Sequence, residues 1–341
     1  MNPTTPAVAP LDADAMAATA QRWSTRAIPP GALGRLQPLA VQLSGMTGVA
    51  PPTVVANPAV AVFAADHGVV ADGASAWPSS VTQLMAATMV SGGAAINQFA
   101  ALFAARVVVV DVGMANPAPD GVVSRRVRAG TGSLARGPAM STADAAAALA
   151  VGIEVANSLV DEGADCLVGG EMGIGNTTAA AAVISVICNI DSNRIVGPGA
   201  GLGTDQLDHK RALVAAGVAR VPADASAITV LAEVGGLEIA ALAGFYLGAA
   251  ARRIPVIVDG VIALAAACTA DRLDHAVRAR LIAGHRSTEP AADVALGHLD
   301  LTPLIELDLR LGEGTGACLA IPFLQAAARA VRDIADLPTS F

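Results

Sequence analysis

Residues 59–65 (AVAVFAA) form an unbroken apolar run that stops at Asp66-His67-Gly68, and residues 106–110 (RVVVV) form a second that stops at Asp111-Val112-Gly113. Short β-rich runs of this kind recur at 165–168 before Gly169-Gly170-Glu171, at 254–258 before Asp259-Gly260 and, more weakly, at 281–283 before Gly284-His285-Arg286. Long Ala-rich stretches separate or follow them, and these predict helices over 81–105, 142–162, 177–188, 206–218, 237–252 and 315–332. Strands that read as continuous Val, Ile and Leu rather than alternating are those of a parallel sheet covered on both faces, so the pattern predicts an α/β protein with a parallel sheet flanked by helices. In such sheets ligands collect at the carboxyl ends of the strands. Any one Gly-acid ending also reads as a plain tight turn, but together they outline a shared rim. The first 50 residues, with RAIPPGALGRL at 26–36, are expected to pack as helices beside the sheet.

Composition narrows the chemistry. The 341 residues are 54% hydrophobic, 15% charged and 3% aromatic, with a net charge of -8, which disfavours a base-stacking or phosphate-tracking nucleic-acid surface. Apolar runs such as 179–188 and 261–268 are bounded by polar residues before the roughly 18 residues that a membrane span needs, so no membrane association is expected. The N-terminal stretch has no basic n-region followed by a continuous apolar segment, which predicts a cytoplasmic protein. Cys166, Cys188, Cys268 and Cys318 are far apart, and the five histidines show no ligand spacing, so neither a metal nor another cofactor is expected.

Two Gly-rich loops run into helices. GGEMGIGNTTAAAA at 169–182 places Gly173, Gly175, Asn176, Thr177 and Thr178 where a strand would turn into a helix. Glycines admit an oxyanion close to the backbone, and a helix N-terminus offers unpaired N–H groups and partial positive charge. A capped Gly-rich turn without a ligand has the same outline. The second loop, GPGAGLGTDQLDHK at 197–210, contributes Gly201 and Gly203, and its Lys210 is the single lysine of the chain. A compact ammonium suits phosphate, though a solvated lysine reads the same way. The segment 64–83 sets Ser75 and Gln83 around Trp77, a setting for a flat ligand or for a proline-held loop. Glu171 and Glu313 each sit next to glycine outside any charge cluster. Burial there would raise a carboxyl toward working pH, as a general base requires, whereas a helix beginning near Thr315 would stabilise Glu313 as an ordinary N-terminal acid.

Taken in order, AADHGVVADGASAWPSSVTQLM, GGAAIN, GGEMGIGNTTAAAA, GPGAGLG, GGLEIAALAGFYLGAA, IPVIVDG, GHRSTEP and LGEGTGACLAIP closely resemble the nicotinate-nucleotide:dimethylbenzimidazole phosphoribosyltransferase family, over roughly residues 20–335. The resemblance implies a Rossmann-like three-layer large domain at 51–314 and a small helical domain built from 1–50 plus 315–341. It implies a homodimer. It also implies transfer of ribosyl phosphate from nicotinate mononucleotide to a benzimidazole nitrogen, with inversion at C1′ and release of nicotinate, to supply the lower-ligand nucleotide of cobalamin. By matching motif position, Glu313 is the expected base and Glu171 a second acid near the reacting centre. Ser75, Gln83 and Leu311 would form the acceptor-base pocket, and Gly173, Gly175, Asn176, Thr177, Thr178, Gly201, Gly203 and Lys210 the phosphate and ribose cradle.

This chain departs from the family pattern at RAIPPGALGRL, which lacks the lysine usual in a KPPGSLG segment and has Ala32 for its serine, and at Trp77, where Phe or Tyr is common. The acceptor therefore stays open among dimethylbenzimidazole, another benzimidazole, adenine or a phenol. A nucleotide-dependent oxidoreductase would require a glycine fingerprint directly after the first strand, where Asp-His-Gly stands instead. A non-catalytic nucleotide-binding protein would tolerate loss of Glu313.

Overall fold

A computed structural model describes residues 5–338. Six parallel strands, β1 (Pro58–Ala65), β2 (Arg106–Gly113), β3 (Val123–Ser124), β4 (Cys166–Met172), β5 (Val256–Val258) and β6 (Leu281–Ala283), form one sheet in the order β3-β2-β1-β4-β5-β6. The five expected strands are all present, and the two-residue edge strand β3 is too short to leave a pattern in the sequence. The order reverses direction between β1 and β4, which opens a crevice at their carboxyl ends. In register, Phe63 of β1 faces Val110 on one side and Glu171 on the other, and Val258, the last residue of β5, faces Gly169. β4 thus continues past its neighbour β5 and raises Glu171 to the rim.

One face of the sheet is covered by the helices Thr142–Asp161, Asn176–Ile187, Leu237–Ala251 and Val261–Leu273, whose side chains share a core with Phe63, Leu167 and Val258. Leu237–Ala251 and Val261–Leu273 are apolar all round because both are buried all round, so the second shows no helical period and reads in the sequence only as an apolar run. Thr142–Asp161 has the length and apolar character of a membrane span, yet its Ala145, Leu149, Gly152 and Ala156 are buried in the protein core. Gly152 makes a helix contact that only glycine allows: a Cβ there would lie 1.7 Å from the carbonyl oxygen of Ala241.

On the other face Leu43, Met46, Ile321 and Leu324 share a core with Val60, Val62, Val168 and Ile257. Helices Ala13–Trp23, Leu36–Thr47 and Ile321–Asp333 are joined there through Arg22, whose Nε donates to the Val331 carbonyl at 2.9 Å, and through a bridge and ion pair between Arg26 and Asp336. The expected terminal segments 1–50 and 315–341 include residues 1–4 and 339–341, which lie outside the described residues.

Two expected helices are each interrupted. The stretch 81–105 is Ser80–Val90 followed by Ala95–Leu102, because Gly92 adopts φ +81° and ends the first helix. The stretch 315–332 is Thr315–Cys318 followed by Ile321–Asp333, because Pro322 has no N–H to donate to the preceding turn. Helices Ala227–Val234 and Pro290–Leu299 were not anticipated from the sequence.

Candidate active site

Above the carboxyl ends of β1, β4, β5 and β6 lies a cavity of about 480 Å3, large enough for a fused-ring base with a sugar. Its walls are mostly apolar (Trp77, Val81, Leu84, Met85, Ile262, Leu311), and its polar groups come from Glu171, Asn176, His285, Glu289 and Glu313. A smaller recess of about 40 Å3 adjoins it, lined by Ser75, Gly175, Pro198, Leu202 and Lys210. Gly173, Ile174, Asn176, Thr177 and Ala200 line both spaces, so the two meet at the turn between β4 and its helix.

Glu313 stands on a loop that ordinary residues avoid. Its own φ is +63°, between Gly312 at +86° and Gly314 at +84°, and a left-handed non-glycine residue costs of order 1 kcal/mol or more. The loop lies on β4: a Cβ on Gly170 would be 2.4 Å from the Glu313 carbonyl oxygen, and one on Gly312 would be 2.4 Å from Glu171 Oε1. The glycines around both acids are thus there for clearance. The Glu313 side chain is buried and its Oε2 accepts from the Ile96 N–H at 3.3 Å, at the start of helix Ala95–Leu102. The helix whose N-terminus Glu313 meets is therefore that one, remote in sequence. Burial raises the Glu313 carboxyl above its usual range, the Ile96 N–H opposes this, and the nearby Asp259 adds to the rise. Helix stabilisation and an elevated carboxyl thus coexist, with burial the larger effect.

Burial likewise pushes Glu171 well above the usual carboxylate range, reinforced by Asp259, Glu238 and Glu313 and opposed by the hydrogen bond that Asn176 Nδ2 donates to its Oε2. Asp259, at the end of β5, accepts from the Ala317 N–H at 2.8 Å and lies 3.3 Å from His285 Nε2. It thereby anchors the helix that begins just after Glu313. Burial alone would lower His285, but the bond to Asp259 and its charge leave the imidazole raised.

On the recess side, Lys210 is buried, and its Nζ donates to Thr177 Oγ1 at 2.8 Å and to the Gly197 carbonyl at 2.9 Å. Burial lowers its ammonium to about 8, against the pull of Glu289. Glu289 Oε1 accepts from the Gly199 N–H at 2.8 Å. Trp77 Nε1 donates to the Ala200 carbonyl at 3.1 Å and Arg310 Nη1 to the Gly199 carbonyl at 3.2 Å, so side chains from three loops fasten this strap across the cavity.

The fold thus brings together Glu313, Glu171, Leu311, Gly173, Gly175, Asn176, Thr177 and Lys210. Ser75 lines the recess beside the cradle rather than the larger cavity, its Oγ accepting from the Trp77 N–H at 3.1 Å. Gln83 lies outside both spaces and donates to the Pro117 carbonyl at 2.8 Å. Helical geometry explains this, since Val81, Leu84 and Met85 share one face and Gln83 points off it. Thr178 is fully buried beneath the helix, Gly201 lies in open space, and Gly203 caps the helix Thr204–Val218; none lines either space. The altered segment 26–36 lines neither space. Asp259, His285, Glu289 and Arg310 are additional site residues; the first two mark strand ends already visible in the sequence, whereas Arg310 has no motif of its own. Among the described residues no group of three or more His, Cys, Asp or Glu side chains is placed to hold a metal ion.

The sequence model of a phosphoribosyltransferase family matches residues 8–339. The chain belongs to this family. Curated relatives include the nicotinate-nucleotide–dimethylbenzimidazole phosphoribosyltransferases of Salinispora tropica, 46% identical over 99% of this chain and 97% of the relative, and of Chloroflexus aurantiacus, 47% identical over 96% and 94%. The crystal structure of the corresponding protein from Thermus thermophilus superposes with a TM-score of 0.92 at 43% identity, covering 96% of this chain and 97% of that one. For this phosphoribosyltransferase the parallel sheet and its crevice are therefore the family architecture, and the alternative of a nucleotide-dependent oxidoreductase falls away.

Proposed function

We propose that the chain transfers the ribosyl phosphate of nicotinate mononucleotide to 5,6-dimethylbenzimidazole, giving α-ribazole 5′-phosphate and nicotinate for the nucleotide loop of cobalamin. The observation that carries this reading is the placement of two buried, elevated carboxyls, Glu313 and Glu171, in an apolar cavity that opens directly onto a helix N-terminus with its own buried lysine. The acceptor ring lies against Leu311, Trp77, Leu84 and Met85. The phosphate lies in the recess among Gly173, Gly175, Asn176, Thr177 and Lys210, with Ser75 at its edge. Benzimidazole attacks through one ring nitrogen while the other bears a proton, and Glu313 accepts that proton so that no cationic product accumulates. Nicotinate leaves readily because its ring nitrogen already carries positive charge, so positioning and charge stabilisation supply most of the acceleration. Glu171 orients the ribose end of the donor. Gln83, Thr178, Gly201 and Gly203 lie outside the two spaces and are given no ligand contact.

The reading extends to a homodimer, as the resemblance implies, to a small helical unit formed by the terminal helices, and to a cytoplasmic protein, which four free thiols suit. The test is incubation with nicotinate mononucleotide and, in parallel, dimethylbenzimidazole, adenine, other benzimidazoles or phenol, with products identified by mass spectrometry. Absence of any riboside phosphate overturns the reading, and the favoured base names the acceptor. Glu313→Gln lowers turnover by about 10²-fold or more with the fold intact, as loss of a general base does. Unchanged turnover removes Glu313 from the mechanism.

A further inference from the structure

Directly beneath the turn that joins the cavity to the recess lies a buried pair that neither space touches, His67 and Glu238, with the imidazole Nε2 2.8 Å from Glu238 Oε1. His67 follows β1, and Glu238 is in the first turn of the core helix Leu237–Ala251, where a carboxylate is stabilised by the helix dipole. The imidazole packs closely against Gly236 and in ordinary contact against Gly173, and the His67 Cβ packs against Gly175. A Cβ on Gly173 would be 3.4 Å from its Cδ2 and Nε2, one on Gly175 would be 3.4 Å from its Cβ, and one on Gly236 would be 2.5 Å from its Cε1. The ring is thus sandwiched between the nucleotide turn and the capping glycine of the core helix. On its far side the same turn is pinned by Thr82, whose buried Oγ1 accepts from the Ile174 N–H at 3.1 Å.

We propose that His67, held by Glu238, is a positioning residue for the donor's phosphate: it props the 173–175 turn, which leads into the helix Asn176–Ile187, from below. The inference rests on the reading of that turn as the phosphate cradle. The surroundings favour the imidazolium. Burial alone would discharge it, but the charge of Glu238, the bond to it and the charge of Asp66 raise the imidazole above its ordinary value. A buried polar pair is costlier than an apolar side chain of the same size, and here it fixes the imidazole against the turn. Lys210 approaches the recess from one side, and the imidazole holds the turn at its base. Because phosphate is held equally in substrate and transition state, the effect falls on donor binding rather than on chemistry.

The test is steady-state kinetics with each substrate varied in turn. His67→Gln raises KM for nicotinate mononucleotide by about 10-fold or more, while kcat and KM for dimethylbenzimidazole stay within about two-fold, as loss of uniform binding predicts. Glu238→Gln, which keeps shape and removes the charge, acts in the same direction with a smaller factor, and it decides the matter should His67→Gln not fold. An unchanged donor KM in a folded variant overturns the proposal. So does an equal rise in both KM values together with a fall in kcat, which marks general loosening of the site. Thr177→Val separates the two levels of the argument: if it leaves the donor KM unchanged the cradle reading itself fails, whereas a raised donor KM there with none in His67→Gln removes only the role of His67.

Discussion

Gly170→Ala should displace the proposed base, Glu313, without replacing it. The added Cβ would lie 2.4 Å from the Glu313 carbonyl oxygen and 2.7 Å from its carbonyl carbon, whereas ordinary contact begins at 3.4 Å, so the loop 312–314 must rise by about 1 Å. A displacement of that size at a reacting group costs about 10²-fold in rate, equivalent to about 2.7 kcal/mol of barrier. The loop has little freedom to absorb it elsewhere, since its three residues already hold positive φ and Gly312 abuts Glu171. Its neighbour supplies the control: a Cβ on Gly169 meets Leu242 and Tyr246, each at 2.8 Å, on the core side of the strand. Gly169→Ala should therefore cost about 1–3 kcal/mol of stability by overpacking and leave the acid in place. The assay is nicotinate release at saturating substrates beside a thermal melt of each variant. Turnover of Gly170→Ala within about three-fold of wild type, or an equal loss in Gly169→Ala, would refute the claim that β4 sets the position of Glu313.

The pH profile of kcat/KM for the donor should be bell-shaped. As the proposed base, Glu313 must be ionised, so activity should fall as pH drops through its raised pKa, above the ordinary 4.5; as the proposed phosphate ligand, Lys210 must be charged, so activity should also fall as pH rises through about 8. Lys210→Arg should move the alkaline limb upward, because guanidinium stays protonated; an unmoved limb assigns it to another group. Trp77→Phe removes the bond to the Ala200 carbonyl and should raise KM by about two- to ten-fold, the worth of one neutral hydrogen bond, with the melting temperature unchanged. Gly152→Ala, which would drive a Cβ to 1.7 Å from a carbonyl oxygen of the facing helix, should destabilise by about 3 kcal/mol in chemical denaturation while the surviving folded fraction keeps its kcat.

The sequence by itself determined the parallel sheet, because strands covered on both faces must be apolar throughout, and it pointed to the carboxyl rim, because the strand ends there combine glycine with an acid or histidine, although the β2 end at Asp111 and Gly113 lines neither space. Glu313, Glu171, Lys210 and the 173–177 turn stood out as chemically unusual in so apolar a chain, but each had a plain structural reading as well, and the resemblance of the surrounding motifs was what joined them into one site. Residues whose roles depend on the direction of a side chain were not legible. Gln83 and Val81 are two positions apart, yet one turns to Pro117 and the other to the cavity, a matter of helix phase and packing. The breaks at Gly92 and Pro322 were local signals within otherwise helical stretches. Tertiary structure alone decided that the Glu313 carboxylate meets the N-terminus of Ala95–Leu102, 217 residues away in sequence, that Asp259 anchors the helix after it, and that His67 lies under the 173–175 turn against Glu238. The physical reason is common to all three. A carboxyl's proton affinity and an imidazole's charge are set by burial and by neighbours brought together across the sheet, and neither is a property of the residues beside them in the chain.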